Sequence, residues 1–223
     1  IKSESIKYDS VIVSGHSYQS KEPGITITMN GIFEKQISKN QGQEDDLIYL
    51  SKPLGTGYLL AAYFNNSDFL SSIDFQNLLE WLKKGNSKAS EISKSFKSNI
   101  TTDISGFGLA SHLSDICKSS KLSAEIKLNK EILINKNIEI LENFKSTGFD
   151  NNYSSTVNEI LISDSNKLKN ILYDPQTNGP LLLSIHEKDQ IEFEKKFQLK
   201  LGFSAILIGK FKKSGDKLIN VID

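Results

Sequence analysis

The segment Thr101-Thr102-Asp103-Ile104-Ser105-Gly106-Phe107-Gly108-Leu109-Ala110-Ser111-His112 sets a carboxylate, a hydroxyl and two glycines directly before an apolar run with helical spacing. Unpaired N–H groups at a helix start carry partial positive charge. Glycine lets a ligand approach the main chain, and a carboxylate can hold a hard cation against phosphate oxygens. The combination points to a metal or a phosphate. Taken alone, it reads more simply as a helix start capped by Asp103 or Ser105, the usual work of short polar side chains there.

Two further segments share its mixture of glycine, turn residues and adjoining apolar runs. Lys52-Pro53-Leu54-Gly55-Thr56-Gly57 follows the apolar run Leu47–Leu50, and Tyr173-Asp174-Pro175-Gln176-Thr177-Asn178-Gly179-Pro180 leads into Leu181-Leu182-Leu183. Lys52 precedes its glycines, whereas a P-loop lysine follows the second glycine and stands beside Ser/Thr, so Lys52 is assigned a structural role. Asp174–Thr177 has the composition of a turn that launches a buried strand. Near the start, Ser14-Gly15-His16-Ser17 offers a histidine and two hydroxyls around a glycine, a loop able to meet an anion or to sit idle at the surface. His112 and His186 have no partner at a zinc-ligand spacing and are assigned structural roles.

In this order, the three segments resemble the carboxy-terminal half of selenophosphate synthetase (selenide, water dikinase), within the aminoimidazole ribonucleotide synthetase superfamily. Ser14–Ser17 stands for the Gly-Gly-His-Ser/Thr element of that family, and the resemblance runs from about Val11 to Gly209. It implies an α+β fold: an α/β sandwich, partly ferredoxin-like, with a mixed sheet covered by helices, preceded by strands left over from an amino-terminal ATP-binding domain. It further implies that Asp103 ligates Mg2+, that Gly15, His16 and Ser17 contact ATP at a dimer interface, and that the homodimer forms through the amino-terminal domain. The reaction implied is phosphorylation of selenide by ATP, with release of AMP and phosphate. The reactive Cys or selenocysteine and its partner lysine belong to a region upstream that nothing here matches, and the chain starts at Ile1, so an inactive fragment of a larger enzyme is expected. Ser14, Ser105 and Asn178-Gly179-Pro180 depart from the family pattern, and Pro180 removes a backbone donor beside a strand. The alternatives are a superfamily paralogue with another acceptor and a noncatalytic binding module of the same fold.

Composition narrows the remaining classes. Lys+Arg and Asp+Glu both number 27, which leaves no net field to draw nucleic acid or an anionic membrane. Every cation is a lysine, so no guanidinium fork is available for phosphate, and backbone N–H groups, lysine and metal must serve instead. Cys117 is the single cysteine, which excludes an internal disulfide, fits a reducing cytoplasm and, on an apolar helix face, reads as a buried inert thiol. No apolar stretch has membrane-spanning length.

The elements that must carry these motifs follow from periodicity. Residues 1–43 read as extended chain with turns, including Ser10–Val13, the alternating Ile25–Met29 and the turn Asn30-Gly31 before Ile32-Phe33. Residues 44–223 read as a second domain with strands at Leu47–Leu50, Ser123–Leu128, Leu181–Ile185, Ala205–Phe211 and Leu218–Ile222. Its helices are expected at Tyr58–Phe64, Asp74–Lys84, Ser90–Lys97, Phe107–Ser119, Lys130–Glu142 and Lys188–Phe197, with Ser146–Thr156 a loop by composition.

Overall fold

The run Leu47–Leu50 is apolar at every position because it is an interior strand of a sheet covered on both faces. The computed structural model describes residues 1–32, 40–65, 68, 70–96 and 100–222. Among them is a seven-stranded sheet made of β1 (Leu47–Leu50), β2 (Thr101–Asp103), β3 (Leu122–Lys127), β4 (Ile160–Leu161), β5 (Leu181–Ile185), β6 (Ile206–Lys213) and β7 (Ile219–Ile222). The strand order is β2-β5-β1-β6-β3-β7-β4. Pairing is antiparallel except where β7 runs parallel to β3 and β4.

Successive side chains of a strand point to opposite faces, and here each face has its own core. Ile48 and Leu50 of β1 and Leu182 of β5 pack into one cluster, while Leu47, Tyr49, Leu183 and Ile185 pack into the other. The helices are α1 (Lys2–Lys7), α2 (Thr56–Phe64), α3 (Ser72–Lys83), α4 (Ser87–Ser95), α5 (Gly108–Ser120), α6 (Ile138–Asn143), α7 (Phe149–Thr156) and α8 (Gln190–Leu201). Residues of α2, α3, α5, α6 and α7 line the first core; Ala89 and Ile92 of α4 with Phe193 and Phe197 of α8 fill the second. The result is the α+β sandwich with a mixed sheet between helical layers. Among the described residues no helix is long and apolar enough to cross a membrane. Cys117 is fully buried in α5, and burial pushes its thiol up to about 12.

Four local differences from the sequence reading have physical causes. The helical pattern of 130–142 is broken because Leu54 N–H donates to Ile132 O at 2.7 Å and Ile134 N–H to Leu54 O at 2.9 Å. That bridge holds the chain extended until Asn137 caps α6 by accepting from Glu139 N–H. The polar stretch 146–156, expected as a loop, contains α7, whose Phe149, Asn152 and Thr156 turn inward at helical spacing. Residues 101–103 form an edge strand, β2, which the sequence reading merged into the approach to α5. The short strand β4 was not expected either.

The chain divides into two units, residues 1–36 and 37–223. In the first, α1 is the one regular element among the described residues. Ser10–Val13 and Ile25–Met29, expected as strands, carry no ladder. A strand needs a neighbour, and Val13 and Met29 are 91% and 81% exposed, so the alternating pattern finds no partner among the described residues of this unit. Phe33 and Lys97, expected in a strand and at a helix end, lie outside the described residues.

Candidate functional site

Asp103 is the last residue of β2 and opposes Leu181 of β5. Its side chain is exposed, and among the described residues no hydrogen bond or ion pair reaches the carboxylate. The backbone that follows is held tightly. Ile104 N–H donates to Pro180 O at 2.8 Å, Gln176 N–H donates to Ser105 O at 3.0 Å, and Ser105 N–H donates to His112 Nε2 at 3.3 Å. Asn152 Nδ2 donates to Gly106 O at 2.9 Å and to Tyr173 O at 3.0 Å. A charged side chain on a fixed backbone therefore faces outward, beside exposed Gly106 and a Phe107 that is 67% exposed.

The capping expectation is corrected here. Helix α5 has Phe107 at its N-cap position and no side-chain cap, so neither Asp103 nor Ser105 serves it. Four residues separate Asp103 from the first residue of α5, too many for an Asx cap, whose oxygen accepts from N2 or N3. His112, assigned a structural role, does brace the segment, one helical turn into α5.

The glycines of the second motif, by contrast, are taken up by the protein itself. The Oε1 of Gln176 accepts from Gly55 N–H at 2.9 Å, Thr56 N–H at 3.2 Å and Thr56 Oγ1 at 3.2 Å. The Asp174 carboxylate accepts from Gly57 and Tyr58 N–H and from Ser146 Oγ. The start of α2 is thus closed by side chains from the third motif, and Gly55 adopts φ 124° to make that turn. Lys52 has the structural role expected of it: its buried ammonium donates to Lys84 O at 2.7 Å and Asn178 O at 2.6 Å, and burial with the nearby Lys84 charge lowers it to about 8. Pro180 loses nothing by lacking an N–H, since its carbonyl is the group used, by Ile104.

Asp174 and Gln176 are the residues that sequence reasoning missed; it saw only a turn. Both are buried, at 1% and 4% exposure. Burial pushes the Asp174 carboxyl up to about 7, outweighing the donors from Tyr58, Ser146, Gln176 and Gly57 that pull it down. The folded state then holds this proton more firmly than the unfolded chain, so the contribution of Asp174 to stability is fully present below about pH 4 and is lost as pH rises towards about 7. We expect Asp174→Asn to flatten that slope by an amount on the order of a few kcal/mol across the window. Urea titrations at stepped pH measure it, and equal slopes in the two proteins would refute the assignment.

Gly15, His16 and Ser17 lie in the first unit, and all three are exposed. The structure therefore brings together the three motifs of the second unit and describes this loop separately. As to metal, a lone exposed carboxylate is a hard oxygen donor of the kind Mg2+ prefers, but no group of three His, Cys, Asp or Glu residues is gathered among the described residues. A single carboxylate of this kind is a donor that magnesium accepts, and further oxygen ligands would be needed to complete a site.

Residues 43–220 match the family described as AIR synthase related protein, C-terminal domain. The selenide, water dikinase of Caldanaerobacter subterraneus subsp. tengcongensis is 29% identical over 91% of this chain and 60% of its own length. That of Clostridioides difficile is 30% identical over 95% of this chain and 62% of its own. The chain thus spans about three fifths of the length of these curated relatives. Among solved structures, thiamine-monophosphate kinase from Stenotrophomonas maltophilia superposes with a TM-score of 0.56 at 14% identity, over 83% of this chain and 52% of that one, a likeness of fold. With its three motifs converging inside the matched region, the chain belongs to the AIR synthase related protein, C-terminal domain, family.

Proposed function

We propose that this chain is the carboxy-terminal part of a selenide, water dikinase, an ATP-dependent phosphotransferase that converts selenide, ATP and water to selenophosphate, AMP and phosphate. The observation that carries the reading is Asp103: an exposed carboxylate, free of partners among the described residues, on a backbone pinned by Pro180, Gln176 and His112. The selenide, water dikinases named above support this reading of the reaction. Magnesium, when bound, neutralises phosphate charge during transfer. Asp103 would be one of the residues holding that ion, and Gly106 leaves open space close by in the chain, since a Cβ there would meet nothing within 4 Å. Residues 1–43 are the terminal segment of the ATP-binding domain, and Gly15, His16 and Ser17 contact the nucleotide. Selenide is the nucleophile, and the reactive Cys or selenocysteine with its partner lysine comes from the rest of the parent, which works in the cytoplasm as a homodimer.

The test is a selenide-dependent assay of the full-length parent, following AMP and phosphate together with the phosphorus resonance of selenophosphate. The parent is expected to turn over and this chain alone to show no activity. Changing His16 and Ser17 together to alanine should raise the KM for ATP roughly tenfold, the scale of losing one or two hydrogen bonds to a charged ligand. ATP turnover indifferent to selenide would overturn the acceptor, activity of this chain alone would overturn the division of labour, and an unchanged KM would remove the loop from the nucleotide site.

A further inference from the structure

Gln176 is buried, yet between its side-chain amide and its main-chain N–H it joins all three motifs. Its Oε1 is fixed by Gly55 N–H, Thr56 N–H and Thr56 Oγ1, and its Nε2 donates to Asp174 O at 2.9 Å and Asp174 Oδ2 at 2.8 Å. The same residue's N–H holds Ser105 O, two residues after Asp103. Thr56 Oγ1 also accepts from Thr177 N–H at 2.9 Å, and Gly179 packs so closely on Ile104 that a Cβ would overlap the Ile104 carbonyl oxygen.

We propose that Gln176 is a positioning residue for Asp103: its side chain anchors loop 174–180 to the start of α2, and the loop's backbone sets where the Asp103 carboxylate stands. This rests on Asp103 being a magnesium ligand. Three donors converge on one amide oxygen, which leaves the side chain a single orientation; the carboxylate, by contrast, has no described partner of its own. Its position is therefore inherited entirely from the main chain, and the main chain from 104 to 106 is hydrogen-bonded to the loop and to the residues that Asn152 gathers. Removing the outer contacts that orient a metal ligand typically lowers metal affinity by about 10–100-fold.

Gln176→Glu tests this, because it keeps the shape and the acceptor for Gly55 and Thr56 but loses the donation to Asp174. Two readouts are independent of turnover. In this chain, amide hydrogen exchange should quicken at Ile104, Ser105 and Gln176, while the central strand β1 stays protected. In the full-length parent, Mn2+ titration followed by electron paramagnetic resonance should give a Kd raised about tenfold by Gln176→Glu and at least as much by Asp103→Asn. Should Gln176→Glu loosen the whole sheet, Thr56→Val removes one of the three donors and must still weaken Mn2+ binding. An unchanged Kd in both the Gln176 and Thr56 variants, with Asp103→Asn weakened, overturns the positioning role. An unchanged Kd in Asp103→Asn overturns the metal assignment itself.

Discussion

Asp103→Asn should leave the melting temperature of this chain within about 2 °C and abolish magnesium-dependent turnover in the full-length parent. The first half follows from the side chain's surroundings. Exposed substitutions away from caps and networks stay within about 0.5 kcal/mol, which for a chain of this size moves the melting point by about 1–2 °C. The carboxylate is exposed, caps no helix and has no described partner, so Asn inherits every contact that matters to the fold. The second half is electrostatic. Asn has an oxygen but no charge, and the lost attraction to a divalent ion and the phosphates around it is expected to reduce turnover about a hundredfold or more. Calorimetry of this chain and AMP release by the parent measure the two halves. An active parent together with a chain that melts many degrees lower would make Asp103 a structural residue after all.

The largest stability effect is expected at two glycines packed against the protein itself. At Gly179 a Cβ would overlap Ile104 O and stand 2.7 Å from Gln176 Cβ; at Gly57 it would overlap Pro175 O and Asp174 Oδ1. Backbone oxygens and a buried, hydrogen-bonded carboxylate cannot step aside as a flexible side chain would. Gly179→Ala and Gly57→Ala should each cost about 3 kcal/mol or more, the upper range of overpacking, and lower the melting temperature by roughly 6–12 °C. Gly106→Ala is the control. It has open space at the Cβ position and should be nearly silent in the melt of this chain. If all three melt alike, the motif glycines are not there for close packing of the loops.

Those glycines show where a sequence is legible and where it stops being so. A glycine-rich segment signals close approach without saying to what. Gly55 and Gly57, which could equally line a phosphate site, face Tyr58, Pro175 and Asp174 instead. Strands β1 and β5 are readable because both faces are dry and nearly every residue is apolar. Helix α7 is not, because two of its inward residues are polar: Thr156 is satisfied by Asn152 O one turn back, and Asn152 by the carbonyls of Gly106 and Tyr173, which come into reach only in the fold. Asp103 stands out through its neighbours Ser105, Gly106 and Gly108. Its true setting, at the end of an edge strand, depends on pairing with Leu181, seventy-eight residues further along. Gln176 sits in a run with every mark of a turn, and its three-donor socket is assembled from residues about 120 positions away.

The strand order has a consequence for how the chain is made. β1 is the first strand of the second unit to leave the ribosome, yet its two neighbours, β5 and β6, are made last but one and two. Until Leu181–Ile185 has been synthesised, Leu47–Leu50 has no strand on either side, and all four of its apolar residues await cover. Sheets closed by such distant pairings form slowly, because the loop must be ordered before contacts reward it. A nascent chain stalled before Leu181 would thus carry an unpaired hydrophobic strand, the kind of segment chaperones hold. The same interleaving makes the finished sheet depend on both ends of the unit, so truncation from either side removes strands that flank the core.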